Sequence, residues 1–498
     1  MMTLLGTSYI MVVAGILLAK GLGFFRDMVF AGAFGTGIHA DIYSQVFGLV
    51  NLIFTGIGVA LSTLVIKNLN KAQCDSEEKK RSYVSHFITK TTLISLAAIF
   101  IMYLLSGVIV RLLLPGVEGE SYCIALKMMY IMLPSFLFVI IAYIISGVLQ
   151  NCRVFFISSI MSLPFNVVII ASLFIKNVDI VTVGIVTTIG WFLHIAVQLP
   201  SFYKKGYRLF TGEKCEKTSS GGNRELVWIF ISNMMFQICF MIDKAFVSGD
   251  SGAATTINYA SNLFVTIASV FVVAMSNVVF PSISRNYEEG NTEYVRSLVK
   301  YIIVVMFAIF VPFILTVSCF GNQLIAVLYE RGEFTPDLTE TTAVLFAIYT
   351  MGALGYVCQE LFNKLLYLDA RYSYTVVGTT LVIALKIVLN LLSGGKVFVV
   401  AATTTVLFTL YAALIAFAMK KVIGNYMDSD LGKNLLKIII SGVCAFLMFI
   451  VCKTVLPALT YGRFTFLLPL ALCAVIYIAL LTLSGVLKTV IKSKGEEK

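Results

Sequence analysis

The chain has 498 residues, of which 59% are hydrophobic and only 13% charged, with a mean hydropathy of +0.93. A soluble domain carries about a quarter charged residues, so a water-soluble enzyme or binding module is excluded, and apolar runs of about 20 residues along the whole length specify an all-α polytopic membrane protein. The net charge of +11 does not mark a nucleic-acid binder, because the cations collect in loops on one side of the membrane.

In chain order the apolar runs predict about 14 transmembrane helices. Six are centred near Ala14, Phe54, Ile99, Phe136, Val167 and Trp191, and six more near Phe236, Val270, Ile309, Tyr356, Ala384 and Phe408. A last pair is centred near Val443 and Ala474. The first run has no basic segment ahead of it and continues past any cleavage point, which makes it a transmembrane helix rather than a removable signal. Segments 67–85, 150–154, 203–224, 283–297, 369–372, 420–433 and 488–498 hold 22 Lys and Arg, whereas the alternate loops hold four. That asymmetry predicts both termini inside.

A shift of 216 residues superimposes two parts of the chain. Asp27 falls on Asp243, Gly35–Thr36 on Ser251–Gly252, Tyr43 on Tyr259, and IVRLLLPG (109–116) on IAVLYERG (325–332). The repeat predicts two six-helix lobes related by a pseudo-twofold axis along the membrane normal, rocking about a site between them. Their expected bounds are 1–203 and 225–421, joined by a basic cytoplasmic linker, 204–224, and followed by two extra helices and a basic tail, 422–498.

Charges inside the spans need a partner, a wet cavity or a function. Lys20 and Asp27 are seven apart and share a helix face, with Arg26 pointing elsewhere. They form either a local pair or a cationic site for an anionic substrate with Asp27 orienting the cations. Gly21 and Gly23 predict a bend or unwound turn there. Asp243 and Lys244 occupy the repeat-equivalent place and suit either a rim pair or a functional role. Asn233 and Gln237, four apart, suit helix–helix hydrogen bonding or a cavity face. Glu360 and Lys364 have the spacing of an internal ion pair. Lys386, with Asn390 one turn on, either snorkels or lines the cavity. Asp41 begins the second span, where capping of its own helix is the simplest role.

No stretch resembles an enzyme site, a metal site or a nucleotide fingerprint. GLGFFRD lies within a membrane helix, no Walker A sequence is present, and the ten cysteines and three histidines are scattered. No cofactor is expected, and no ATP is used by this chain. Any pumping draws on a Na+ or H+ gradient, the membrane potential, or consumption of product on the far side.

AKGLGFFRDMVFAGAFGTGIHAD (19–41), VVFPSISRNYEEGN (278–291) and LYERGEFTPDLTETTAVLFAIYTMG (328–352) resemble the MurJ/MviN family of lipid II flippases, within the exporter superfamily that also holds MATE antiporters and polysaccharide flippases. The resemblance implies two lobes around a cationic cavity that binds a diphosphate-linked sugar, and two added helices that form a groove for the polyprenyl tail. It implies a bacterial cytoplasmic membrane protein that works with membrane lipids, a lipid-linked saccharide and cell-wall synthesis proteins. Carried over by position, Lys20 stands where arginine is common, Arg26 matches a second cavity arginine, and Asp41, with Ser251 and Gly252 opposite, belongs to closure on the outer side. Two family cations are missing: Leu52–Thr55 follow Asn51, and Ser261–Asn262 follow Tyr259–Ala260. Either Lys244, Lys364 or Lys386 substitutes, or the cargo is a capsule- or teichoic-type unit. A drug antiporter and a non-transporting scaffold are the remaining readings.

Overall fold

The computed structural model describes residues 2–70, 76–210, 223–369, 371–455 and 466–486. These residues form helices and short turns in two compact units, Met1–Asn258 and Tyr259–Lys498. The first unit holds α1 (Met2–Phe34), α2 (Ile38–Ile53), a π-helical turn (Phe54–Gly58), α3 (Val59–Asn70), α4 (Glu77–Leu113), α5 (Gly119–Met132) and α6 (Ser135–Asn151). It continues with α7 (Phe155–Ile160), α8 (Leu163–Leu173), α9 (Ile180–Lys204), α10 (Asn223–Phe246) and the start of α11 (Ala253–Val278). The second unit holds the rest of α11, then α12 (Phe280–Glu288), α13 (Thr292–Tyr329), α14 (Pro336–Met351) and α15 (Ala353–Leu368). It ends with α16 (Tyr372–Ser393), α17 (Val397–Ile423), α18 (Ser429–Val455) and α19 (Leu467–Leu483).

Among the described residues ten helical stretches are long and apolar enough to cross a membrane, or eleven with the pair α14–α15, which bends by 40° between Met351 and Ala353. The 17-residue α19 is apolar but shorter. With the charge-bearing α1 and α10 these make the expected fourteen, and each of the fourteen predicted centres falls in one of these helices or in the π turn. The protein is an all-helical, multi-pass membrane protein.

The helix ends follow from sequence. Ser76 caps α4 by accepting from the Lys79 amide at 3.2 Å, and Asp179 caps α9 by accepting from Thr182. Pro336, preset for a first helical turn, opens α14. The repeat reappears as element boundaries: α4 ends at Leu113 and α13 at Tyr329, and the α5–α6 break at Leu133–Pro134 has its counterpart at Gly352.

Helices in lipid associate by close packing rather than by escape from water. At Gly147 of α6 an added Cβ would lie 2.8 Å from the Ser62 carbonyl oxygen, so only glycine lets α6 and α3 approach this closely. Beside this seam Val65, Ile88, Ile144, Val148 and Phe202 form a fully buried core joining α3, α4, α6 and α9. In the second unit α18 and α19 pack together and against α13, where the Tyr477 hydroxyl donates to the Ala308 carbonyl at 2.9 Å. Side chains such as Phe174, Leu112 and Leu392 stay over 70% exposed, as lipid-facing positions should.

The division into compact units falls in α11, between Asn258 and Tyr259, and the expected 204–224 linker lies within the first unit, residues 211–222 being outside those described. The reason is that α10 packs against α2, α3, α4 and the π turn. The unwound turn predicted as one outcome at Gly21 and Gly23 is absent: α1 runs as one helix through both. Gly23 instead faces α8, where an added Cβ would sit 3.7 Å from Asn166 Oδ1.

Candidate functional site

Three of the sequence-derived candidates lie on α1. Arg26 turns its guanidinium toward its own neighbour, donating from Nε and Nη2 to Asp27 Oδ1 at 3.0 and 2.6 Å. Its Nη1 donates to Asn166 Oδ1 of α8 at 3.2 Å. The guanidinium carbon lies 5.0 Å from the Phe47 ring centre and 5.6 Å from that of Phe165. Both rings supply cation–π attraction in a dry setting. Among the described residues Arg26 thus uses three of the roughly five donors of an arginine. Asp27 pairs with its chain neighbour Arg26 at 2.6 Å, whereas the sequence placed Arg26 on another face. Lys20, two turns back on the same helix, is half-buried.

An aromatic column fixes this site to the helix ends. Phe34, Phe30, Tyr43 and Phe47 follow one another at centroid spacings of 5.1, 4.9 and 5.6 Å, and Phe47 meets Phe165 at 6.2 Å. The Tyr43 hydroxyl shares a 3.0 Å hydrogen bond with Thr187 of α9. The column therefore ties α1, α2, α8 and α9 around Arg26.

At the top of the column stands a second constellation. Asp41 is fully buried in the first turn of α2. Its Oδ2 accepts from the Gly252 amide at 2.7 Å, and its Oδ1 accepts from the Thr255 amide and hydroxyl, each at 2.6 Å. Asp41 was expected to cap its own helix; it caps α11 instead, satisfying the amides that begin that helix. Gly252 has φ of +87°, and an added Cβ would lie 2.9 Å from Thr36 Oγ1, so no other residue fits this turn. Ser251, its expected companion, is exposed and takes no part in the contact.

Lys244, at the end of α10, extends the same latch. Its ammonium donates to the Ser44 carbonyl at 3.2 Å and to Asn258 Oδ1 at 3.3 Å, beside Gly48. Two further bonds close this end: Gln45 to the Leu113 carbonyl at 2.7 Å, and the Gly116 amide to Ser248 Oγ at 3.1 Å. Asp243 is fully buried next to Lys244 and Gln237 is half-buried. Asn233 lies on α10 with its side chain outside the described residues.

The remaining candidates lie in the second unit. Glu360 and Lys364 are within electrostatic reach of each other, with the Lys364 ammonium 5.8 Å from the Phe280 ring centre. Lys386 and Asn390 are completely buried on α16. The Lys386 ammonium donates to the Val400 carbonyl at 2.8 Å and to Thr403 Oγ1 at 2.6 Å, and Thr403 Oγ1 lies 2.8 Å from Asn390 Oδ1. In this structure the lysine is buried and bolts α16 to α17.

Sequence reasoning missed Asn166, Phe47, Phe165, Thr255 and Asn258. The available signal was weak. Asn166 is a lone amide in an apolar span, and Thr255 starts a helix, but neither has a fixed spacing from the residue it meets.

On α1 a largely buried arginine is held by a carboxylate, an amide oxygen and two rings, and Asp41 joins the start of α2 to the start of α11. A model of the family described as lipid II flippase MurJ matches residues 30–486. A probable lipid II flippase MurJ of Buchnera aphidicola subsp. Schizaphis graminum is 24% identical over 368 residues, covering 70% of each chain. A solved lipid II flippase MurJ in an inward closed conformation matches with a TM-score of 0.77 at 22% identity, covering 96% of this chain and 99% of that one. An inward-facing MATE family multidrug resistance transporter of the MOP superfamily matches with a TM-score of 0.60 at 12% identity, covering 81% and 96%. The last two are likenesses of fold.

Proposed function

The chain belongs to the MurJ family of lipid II flippases, and from that premise we propose that it moves lipid II from the inner to the outer leaflet by alternating access, with Arg26 and Lys20 receiving the diphosphate. The family is described as one of lipid II flippases, which supports this reading over the scaffold and drug-antiporter ones. The observation that carries the proposed site is the hold on Arg26. Asp27, Asn166, Phe47 and Phe165 fix the guanidinium inside the membrane span while leaving donors for an anion. Charge-assisted hydrogen bonds to phosphate oxygens are strongest in such a low-dielectric setting.

In this mechanism the head group enters from the cytoplasmic side while the polyprenyl tail stays in lipid. The Asp41 contact with Gly252 and Thr255 keeps the outer end closed until the lobes rock, and must release before the head group leaves. With both termini inside, a potential negative on the cytoplasmic face favours outward movement of an anion by about 2.3 kcal/mol per charge per 100 mV. The membrane potential is therefore the proposed drive, with a Na+ or H+ gradient as the competing source.

The test is outward movement of lipid II in proteoliposomes, followed with a probe confined to the outer solution. Arg26→Ala, at an unchanged yield of folded protein, is expected to lose affinity on the order of 100-fold and with it transport. Retained transport would remove the proposed site. Movement of a capsule-type lipid in preference to lipid II would change the cargo and keep the mechanism.

A further inference from the structure

A second cationic feature lies away from the candidate transport site, where α9 ends. After Lys204 the chain turns at Gly206, with φ of +81°, and returns along α4 through Arg208 to Phe210. The turn and the first part of α4 border an open hollow of about 740 Å³ lined by Arg81, Tyr203, Gly206, Tyr207, Arg208 and Phe210, with Leu209. Tyr207 is buried and anchors the turn by ring contact with Phe202 at 5.6 Å, and Ser85 donates to the Leu209 carbonyl at 3.4 Å. The Arg81 guanidinium lies flat on the turn, since a Cβ at Gly206 would be 2.6 Å from it.

Among the described residues neither Arg81 nor Arg208 makes a hydrogen bond or a salt bridge, although the Glu77 carboxylate lies within electrostatic reach of Arg81. Glu77 pairs with Lys80 at 2.7 Å and Glu78 is exposed. Lys204 and Lys205 add two exposed cations to the same rim. Flanking the hollow, Tyr203 is 49% exposed and Phe210 58% exposed. Exposed rings beside exposed cations at the end of a membrane helix are the chemistry of a headgroup-level anchor. The side is the one on which 22 Lys and Arg collect.

We propose that this hollow binds the phosphate headgroup of an anionic membrane phospholipid, with Arg81 and Arg208 on the phosphate and Tyr203 and Phe210 at the glycerol level. Basic pockets between helices on the cytoplasmic face select anionic lipids in this way. The site is independent of the transport reading and would stand if that reading fell. The competing source of the same chemistry is a soluble phosphate anion, which needs the arginines but gains nothing from exposed rings.

The experiment uses the full chain, delipidated in a neutral detergent. Retention of phosphatidylglycerol and phosphatidylcholine is measured by native mass spectrometry, and melting temperature with each lipid and with millimolar inorganic phosphate. The wild type should retain phosphatidylglycerol and melt higher with it, and respond to neither phosphatidylcholine nor phosphate. Arg208→Ala and Arg81→Ala should each weaken phosphatidylglycerol retention by about tenfold, with Arg285→Ala, exposed elsewhere, unchanged. Because Arg81 packs on the turn, Arg208→Glu supplies a variant that leaves that contact in place. Unchanged retention in Arg208→Glu would overturn the site, and equal stabilisation by inorganic phosphate would overturn its assignment to a lipid.

Discussion

Arg26 and Lys386 are both cations within membrane helices, yet their surroundings differ in kind. Lys386 gives its ammonium to a backbone carbonyl and a threonine hydroxyl of the adjacent helix and is completely buried. Arg26 meets a carboxylate, an amide oxygen and two aromatic faces, with two donors unused among the described residues. One charge is absorbed by helix packing; the other is oriented and left incompletely satisfied. A charge in a span is thus a weak sign of function until the direction of its donors is known.

The comparison can be broken most decisively at Arg26. Arg26→Ala should abolish transport, and Arg26→Lys should restore only part of it, because a point charge cannot keep the Asp27 and Asn166 bonds and also bind a phosphate in a forked geometry. Transport rates for both variants at matched folded protein check this. Asp41→Ala comes next. It strands the Gly252 amide and both Thr255 donors, and should weaken the latch by on the order of 3 kcal/mol. Faster hydrogen exchange at residues 252–256 with the rest of the first unit unchanged would show it.

Lys386→Met sharpens the comparison from the other side. Removing the ammonium takes one donor from Thr403 Oγ1 and one from the Val400 carbonyl, which keeps the Thr403 hydroxyl at 2.7 Å, a loss of about 1 kcal/mol in stability, with transport kept. A lower melting temperature and a near-normal transport rate is the expected pair of readings; lost transport at normal stability would make the two cations alike after all. Asp179 sets the lower end of the scale. Its carboxyl is held below the usual carboxylate range by the Thr182 hydroxyl and amide. The cap is therefore present above the ordinary aspartate value of roughly 4 and lost as pH falls through the depressed folded value. Asp179→Ala should cost about 1 kcal/mol at neutral pH and less in acid, as melting curves at two pH values will register.

The spans were legible because each is an apolar run that no other fold accommodates, and the repeat was legible because its offset recurs in the ends of α4 and α13. Arg26 and Asp27 were legible as charges out of place. Their partners were not, since Asn166 stands 140 residues from Arg26, and nothing in an isolated asparagine points that far. Asp41 shows the same limit. Local reasoning assigned its carboxylate to the helix it begins, whereas tertiary packing offers it α11, more than 200 residues away. Lys386 was undecidable from sequence because its partners, a backbone carbonyl and a threonine, occur on nearly every helix.

The most direct test of the central claim is a binding competition on the purified chain, with native mass spectrometry comparing lipid II with another oligosaccharide on the same polyprenyl diphosphate, in wild type and Arg26→Ala. The account predicts preference for lipid II in the wild type and loss of binding in the variant. Binding that ignores Arg26 would contradict it and return that arginine to the same structural class as Lys386.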